Sequence, residues 1–179
     1  GLKNVQLSLG MSQVPSNHPE LETRFKDCVT GDIVEISDDA LRISNLIGQI
    51  INNEGGCALI IDYGDWHSLG STLQAVKSHK VAKIFDRPGE VDLTCHVDFE
   101  ALARSSGCAY SKLTTQGVFL ERLGISDRAN LLLKNSKPEY KNSIISAHRR
   151  LTHPDEMGTL FKVLGLFRKD QNSPAGLVR

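Results

Sequence analysis

The sequence predicts an α/β fold, and three observations support that prediction. A short, entirely apolar run from Cys57 to Ile61 is typical of a strand that is covered on both faces. Apolar residues recur at helical spacing between Ser37 and Asn53, and again after Asp98. Predicted helices therefore alternate with predicted strands along the chain, which is the order found in α/β proteins.

The composition is that of a globular domain. The chain has 179 residues, of which 40% are hydrophobic and 23% charged, enough to bury the core of one domain. Its 21 basic and 21 acidic residues give a formal net charge of zero, and hence no overall field that attracts nucleic acid. We expect no membrane insertion, because no apolar run approaches the roughly 20 residues of a membrane-spanning helix. The four cysteines form no Cys-x-x-Cys pair, which favours reduced thiols.

The first predicted elements are a strand, a helix and a second strand. The segment from Val5 to Leu9 alternates with period two and predicts an exposed or edge strand. Ser37 is placed to cap the helix, which we expect to end near Asn53, before Gly55-Gly56. The apolar run from Cys57 follows as the second strand.

The middle of the chain contains weaker signals. A short helix is predicted around Thr72 to His79, after a polar loop. Asp98 can cap a further helix, and Gly107 is suited to end it. The segment from Tyr110 to Thr115 then predicts a strand.

The last third of the chain is predicted to be helical until its final strand. Ser126 can cap a helix that extends through Leu133, and the segment from Glu139 to Leu151 predicts another, which Pro154 would stop. The final strand is predicted from Thr159 to Arg168, and residues 170–179 are predicted to be a flexible tail.

Polar residues directly follow the predicted strand that begins at Cys57. Ligands of open α/β sheets bind beyond the carboxyl ends of the strands, where Asp62, Tyr63 and Gly64 stand. Asp62 offers a carboxylate, Tyr63 a flat ring and a hydroxyl, and Gly64 a tight turn or a close approach to a ligand. The alternative is that Asp62 only caps a turn, and the sequence leaves both roles open.

A second group of polar residues alternates along one segment. If that segment is extended, Asp92, Thr94, His96 and Asp98 point to the same side. In the alternative interpretation, the apolar residues between them are buried, the polar row faces water, and Asp98 only caps the helix that follows.

Metal and nucleic-acid sites are disfavoured by the residue pattern. The six histidines show neither His-x-His nor His-Glu-x-x-His spacing, so we expect no metal site. Lys141 and the run His148-Arg149-Arg150 are basic, but no row of aromatic residues accompanies them for base stacking. We therefore expect no nucleic-acid partner.

A series of short motifs occurs in order along most of the chain. They are Gly31-Asp32-Ile33-Val34-Glu35-Ile36-Ser37, Ala58-Leu59-Ile60-Ile61-Asp62-Tyr63-Gly64, Thr72-Leu73 with His79, Pro88-Gly89, Asp92-Leu93-Thr94, His96-Val97-Asp98-Phe99, Gln116-Gly117 with Phe119-Leu120, Leu123-Gly124-Ile125, and Met157 to Leu164. Each motif is weak alone, but the ordered set is specific. It resembles the MidA-type protein arginine methyltransferases, S-adenosylmethionine-dependent enzymes whose eukaryotic members are mitochondrial assembly factors for respiratory complex I.

The resemblance implies a class I, Rossmann-like methyltransferase fold, with a mostly parallel sheet and an antiparallel last strand. In such folds a glycine-rich loop after the first strand and an acidic residue after the second hold S-adenosylmethionine. Neither element is found here, since Gly55-Gly56 precedes a strand. We therefore expect residues 1–169 to be the C-terminal part of a methyltransferase domain without its cofactor-loop half, inactive alone and able to self-associate through an exposed sheet edge. The residues that bind the cofactor stay unknown.

The resemblance also implies a function. The enzyme would methylate an arginine of a complex I subunit and support assembly of that complex, in the mitochondrial matrix of a eukaryote or the cytoplasm of a bacterium. Carboxylates would orient the guanidinium and accept its proton, so the candidate catalytic residues are Asp62, Asp92 and Asp98. The candidate substrate-binding residues are Glu35, Tyr63, Gly64, Thr94 and His96. The alternatives are a non-catalytic assembly or scaffold module that binds a partner protein, and a methyltransferase that acts on a small molecule.

Overall fold

The computed structural model describes residues 8–24, 26, 28–78, 80–85 and 88–179. The described residues belong to two compact units, a smaller one formed by residues 1–36 and 69–96 and a larger one formed by residues 37–68 and 97–179. The elements, in chain order, are α1 (Pro19–Arg24), α2 (Asp38–Glu54), β1 (Cys57–Asp65), β2 (Gln74–Lys77), β3 (Lys80–Ala82), β4 (Asp92–Thr94), β5 (Val97–Asp98), α3 (Phe99–Ser106), β6 (Ala109–Tyr110), β7 (Thr114–Thr115), α4 (Gln116–Arg122), α5 (Ile125–Asn135), α6 (Pro138–Thr152), α7 (Met157–Leu160) and β8 (Phe161–Phe167).

The smaller unit contains a three-stranded antiparallel sheet in the order β3-β2-β4. The central strand β2 replaces the short helix that was predicted around Thr72 to His79, and His79 itself lies outside the described residues. The helix prediction is wrong because Ala75 pairs with Leu93 on one side and Ala82 on the other, as the centre of a sheet. Its side chain is completely buried. Of the strand predicted from Val5 to Leu9, residues 5–7 lie outside the described residues, and the last two residues belong to no strand.

The larger unit contains a five-stranded sheet in which the last strand runs against its neighbours. The order is β5-β1-β8-β6, and β7 also pairs with β8. Strand β1 is parallel to β5 and antiparallel to β8, while β6 and β7 are antiparallel to β8 as well. Four strands therefore point the same way and β8 points the opposite way. This topology confirms the predicted α/β fold with an antiparallel last strand.

Two helix caps confirm the sequence prediction. The Ser37 hydroxyl accepts a hydrogen bond from the Ala40 N–H at the start of α2. The Asp98 carboxylate accepts one from the Ala101 N–H at the start of α3, and Gly107 ends that helix in the left-handed conformation. The predicted Ser126 cap of α5 is wrong, because Gly124 occupies the cap position.

The core of the larger unit lies between the sheet and helices α2 and α3. Its buried residues are Ile51, Phe99, Ala103, Cys108, Leu164 and Leu166, with Ala58 and Ile60 of β1 packed against them. The prediction that both faces of β1 are covered is wrong. On the face opposite to the core, Leu59 and Ile61 are 46% and 45% exposed. Only one side of this strand packs against helices among the described residues.

Two further predictions in the larger unit need correction. The strand predicted from Tyr110 to Thr115 consists of two short strands. The Ser111 N–H donates to the Gly165 carbonyl, but the Gly165 N–H donates to the Ser111 hydroxyl and not to a backbone carbonyl, so the regular ladder is interrupted there. The predicted flexible tail over residues 170–179 is at odds with its packing. Leu177 is buried in a second cluster with Phe119 and Val163, where it fills the space above Gly165.

In the part of the chain that the structure describes, no helix has both the length and the apolar character needed to cross a membrane.

Candidate functional site

The end of strand β1 holds three of the predicted site residues. Asp62 is half-buried, lies opposite Lys162 of β8, and accepts a hydrogen bond from the Tyr63 N–H at 2.8 Å. The Tyr63 ring meets the Phe161 ring edge-on, with centroids 5.6 Å apart. Gly64 pairs with Val97 of the parallel strand β5. Asp62, Tyr63 and Gly64 lie within β1 and not beyond its carboxyl end as predicted. Because successive strand residues alternate, the Asp62 carboxylate and the Tyr63 ring point to opposite faces of the sheet.

The Asp98 side chain binds two backbone N–H groups close to the end of β1. Its Oδ1 accepts the α3 capping bond at 2.9 Å, and its Oδ2 accepts a bond from the Ser68 N–H at 3.2 Å. The carboxylate therefore fastens the loop that follows β1 to the first turn of α3. Both oxygens are used for positioning, in agreement with the helix-cap interpretation of the sequence.

A contact between the His67 imidazole and the Glu100 carboxylate reinforces the same loop. The His67 Nδ1 lies 2.8 Å from the Glu100 Oε2, and the Glu100 N–H donates to the Trp66 carbonyl at 3.0 Å. Sequence reasoning missed this pair, because its members are far apart in the chain and show no motif spacing.

The smaller unit brings Glu35 and His96 together through Thr72. The Glu35 Oε1 accepts hydrogen bonds from the N–H groups of Thr72 and Leu73, both at 2.9 Å, and its Oε2 accepts one from the Thr72 hydroxyl. The same hydroxyl accepts a bond from the His96 N–H at 2.9 Å. Burial alone would raise the pKa of the Glu35 carboxyl. The hydrogen bonds from Thr72 and Leu73 and the nearby His96 together lower the pKa by more than burial raises it, so it lies below its ordinary value. Glu35 is therefore a carboxylate at neutral pH.

The polar row predicted from Asp92 to Asp98 is divided. Strand β4 ends at Thr94, which pairs with Gln74, whereas β5 begins at Val97, which pairs with Gly64. The two strands belong to different sheets, so the segment is not the single extended strand on which the row depended. Asp92 is exposed on β4. The Thr94 hydroxyl oxygen is shielded from solvent, with no hydrogen bond among the described residues, and so is not presented to a substrate in this arrangement.

A separate cluster lies where α4, α5 and α6 meet. The Ser126 hydroxyl donates to the Glu121 Oε1 at 2.9 Å and lies 3.1 Å from the His148 Nε2. Because the same imidazole nitrogen faces both the serine and the glutamate, the cluster lacks the geometry of a hydrolytic triad, in which histidine bridges the two with different nitrogens. We attribute to it the joining of the three helices. The sequence pattern gave no sign of it.

The described residues do not fit the binding loop of S-adenosylmethionine. Gly55 and Gly56 lie between α2 and β1, at the amino end of the strand rather than beyond its carboxyl end. Among these residues no Gly-x-Gly loop follows a strand and opens a helix, which is the arrangement that holds such a cofactor. We therefore assign no residue of this chain to the cofactor.

Comparison with known proteins identifies the family. Residues 3–119 match a family described as S-adenosyl-L-methionine-dependent methyltransferase. The chain is 36% identical over 144 residues to the mitochondrial protein arginine methyltransferase NDUFAF7 of Xenopus laevis, covering 79% of this chain and 33% of the relative. It is 34% identical over 165 residues to the mitochondrial NDUFAF7 homolog of Drosophila melanogaster, covering 90% of this chain and 37% of the relative. The chain thus spans about a third of the length of these relatives.

A solved structure supports the same assignment. A Burkholderia thailandensis protein bound to S-adenosyl-homocysteine superimposes with a TM-score of 0.74 at 26% identity, covering 91% of this chain and 45% of that one. The predicted resemblance to protein arginine methyltransferases and the predicted class I fold are confirmed, and S-adenosylmethionine is the cofactor of the family. The chain belongs to the family of S-adenosyl-L-methionine-dependent methyltransferases.

Proposed function

We propose that this chain supplies the substrate side of a protein arginine methyltransferase. The observation that carries the proposal is the match of 79% and 90% of the chain to two relatives named as protein arginine methyltransferases. The antiparallel last strand and the carboxylate at the end of β1 agree with it. Residues 1–169 are proposed to be the C-terminal part of the methyltransferase domain, with the cofactor loop supplied by the part that the relatives have in addition.

Asp62 and Asp92 are the carboxylates that we propose for the reaction. A guanidinium must be oriented, its charge balanced, and one proton accepted when a nitrogen is methylated. Asp62 lies at the carboxyl end of β1, and Asp92 is exposed on β4. Asp98 is proposed to position the loop after β1, because its two oxygens accept backbone hydrogen bonds.

The remaining predicted residues are proposed to bind substrate. Tyr63 offers its ring and hydroxyl on the same strand as Asp62, and Gly64 allows the close approach of β5 to that strand. Glu35, Thr94 and His96 belong to the smaller unit, where Glu35 and His96 share the hydroxyl of Thr72. Binding through Thr94 requires its shielded hydroxyl to become accessible.

We further propose a subunit of respiratory complex I as the protein substrate, and the mitochondrial matrix as the location. The support is the motif resemblance and the names of relatives that are mitochondrial. Self-association through a sheet edge remains part of the proposal.

Methyl transfer by the protein as its gene encodes it tests these assignments. The assay measures incorporation of labelled methyl groups from S-adenosylmethionine into arginine of purified complex I subunits. We expect Asp62→Asn and Asp92→Asn each to lower kcat/KM by about a hundredfold or more. Asp155→Asn, at a carboxylate 84% exposed after α6, is the control and should retain full activity.

The results separate the proposed function from the proposed residues. If the wild-type protein methylates arginine and the folded variants do so equally well, Asp62 and Asp92 are not the catalytic carboxylates. If the wild-type protein binds a complex I subunit but neither binds nor uses S-adenosylmethionine, the alternative of a non-catalytic assembly module is correct. The lack of a cofactor loop among the described residues is the observation that favours that alternative.

A further inference from the structure

The Thr72 hydroxyl lies between a carboxylate and a backbone amide. It donates a hydrogen bond to the Glu35 Oε2 and accepts one, at 2.9 Å, from the His96 N–H. A hydroxyl group can do both at once, whereas an aliphatic or carboxylate side chain cannot. Thr72 is half-buried, whereas His96 is exposed.

Thr72 lies just beyond the end of the ladder between β2 and β4. The ladder between β2 and β4 ends at the pair Gln74–Thr94. Thr72 lies two residues before Gln74 and His96 two residues after Thr94, so they would form the second pair beyond the end of the ladder. The Thr72 hydroxyl accepts the hydrogen bond of the His96 N–H, for which a regular ladder would supply a backbone carbonyl. A side-chain bond thus continues the contact between the two segments beyond the last strand pair.

Glu35 holds Thr72 in that position. Its carboxylate accepts the N–H groups of Thr72 and Leu73 as well as the hydroxyl. A further hydrogen bond joins the same two segments, because the Gly70 N–H donates to the Ile33 carbonyl at 2.9 Å. Bonds to an ionised acceptor are stronger than neutral ones, so the hydroxyl has little rotational freedom.

We infer that Thr72 is a positioning residue for the substrate, which uses the carboxylate of Glu35 to fix the backbone of His96. The inference rests on the proposed function, in which the exposed His96 contacts the arginine-bearing polypeptide. Thr72 does not itself touch the reacting atoms in this account. Its loss is therefore expected to weaken substrate binding more than the chemical step.

Kinetics of Thr72→Val and Thr72→Ser in the gene-encoded protein test the inference. Valine keeps the shape and removes the hydroxyl, whereas serine keeps it. We expect valine to raise KM for an arginine-containing peptide by about twofold to tenfold, because the His96 N–H loses its acceptor, with kcat changed less than about twofold. Serine should restore KM. Glu90→Gln, which breaks the exposed Lys77–Glu90 ion pair of the same sheet, should leave KM unchanged.

Hydrogen exchange of the His96 amide gives a second readout that does not depend on activity. Thr72→Val should accelerate that exchange, and Thr72→Ser should restore it. Faster exchange with unchanged KM would mean that the hydroxyl has a structural role only, and a fall in kcat without a rise in KM would also overturn the inference. If the valine variant does not fold, Thr72→Ala replaces it, with the same expected directions.

The two proposals fail in different ways. A wild-type protein that methylates no arginine peptide refutes the proposed function, whatever the exchange data show. A wild-type protein that is active, with a valine variant of unchanged KM, refutes only the role of Thr72.

Discussion

Gly64 and Val97 lie so close that a side chain on the glycine has no room. A β-carbon placed on Gly64 would stand 2.2 Å from the Val97 carbonyl oxygen and 2.7 Å from its nitrogen. The glycine also has a φ of +154°, a conformation that residues with side chains rarely adopt. The residue that the sequence marks as a substrate contact therefore also has a structural duty, the parallel pairing of β1 with β5.

Gly64→Ala should destabilise the chain by about 2 kcal/mol or more, because backbone atoms must move to admit the methyl group. Gly107→Ala is the matched control, since Gly107 has a φ of +67° in the left-handed conformation but open space around an added β-carbon. Its cost should be about 1 kcal/mol, from conformational strain alone. Urea unfolding measures both values, and equal costs would show that the close approach to Val97 is unimportant.

Asp98→Ala should cost about 1–2 kcal/mol of unfolding free energy, because the Ala101 and Ser68 N–H groups both lose their acceptor. Asp98→Asn should cost less, since its amide oxygen can still accept one of the two bonds. Thermal unfolding of the two variants gives the comparison. An asparagine variant as unstable as the alanine variant would argue against the double-cap arrangement.

The stability of the chain should depend on the protonation of Glu35. Its pKa is lower in the folded state than its ordinary value, so its contribution is fully present above the pKa of an unfolded glutamate, about 4.3, and is lost as the pH falls through the folded value. The free-energy difference between wild type and Glu35→Gln should therefore be constant near neutral pH and shrink below about pH 4.3. Urea unfolding from neutral to acidic pH measures it. A difference that stays constant throughout would contradict the lowered pKa.

Leu164→Ala should cost about 2–5 kcal/mol, because the leucine is fully buried between the sheet and α2 and α3, and its removal leaves a cavity. Leu131→Ala on α5 is the control, since that side chain is 60% exposed and should cost less than about 0.5 kcal/mol. Chemical unfolding of both variants tests whether this cluster is the dominant core.

The elements that could be predicted from the sequence are those whose signals are local. Helix α2 begins after Ser37 and ends at Glu54, one residue beyond the prediction, because a cap and an isoleucine repeat define it within its own segment. Strand β8 spans Phe161–Phe167 inside the predicted range, since an apolar run bounded by polar residues needs no partner to be recognised. Asp98 and Gly107 mark the ends of α3 for the same reason.

The elements and contacts that were missed depend on residues far away in the chain. Strand β2 was predicted as a helix because Ala75 becomes a strand residue only through its pairing with Leu93 and Ala82. The bond between Glu35 and Thr72 likewise joins separate segments without a motif spacing. Of the candidate site, the sequence therefore supplied the residue types, whereas their grouping required the structure.

The antiparallel strand β8 has a consequence for the order of events during synthesis. It pairs with β1, β6 and β7, all of which are translated earlier, and it carries the fully buried Val163, Leu164 and Leu166. While the nascent polypeptide leaves the ribosome, those earlier strands lack their shared partner until Phe161–Phe167 has passed the exit tunnel. The larger unit thus completes its sheet only after most of it has been translated, and its apolar segments are open to chaperones until then.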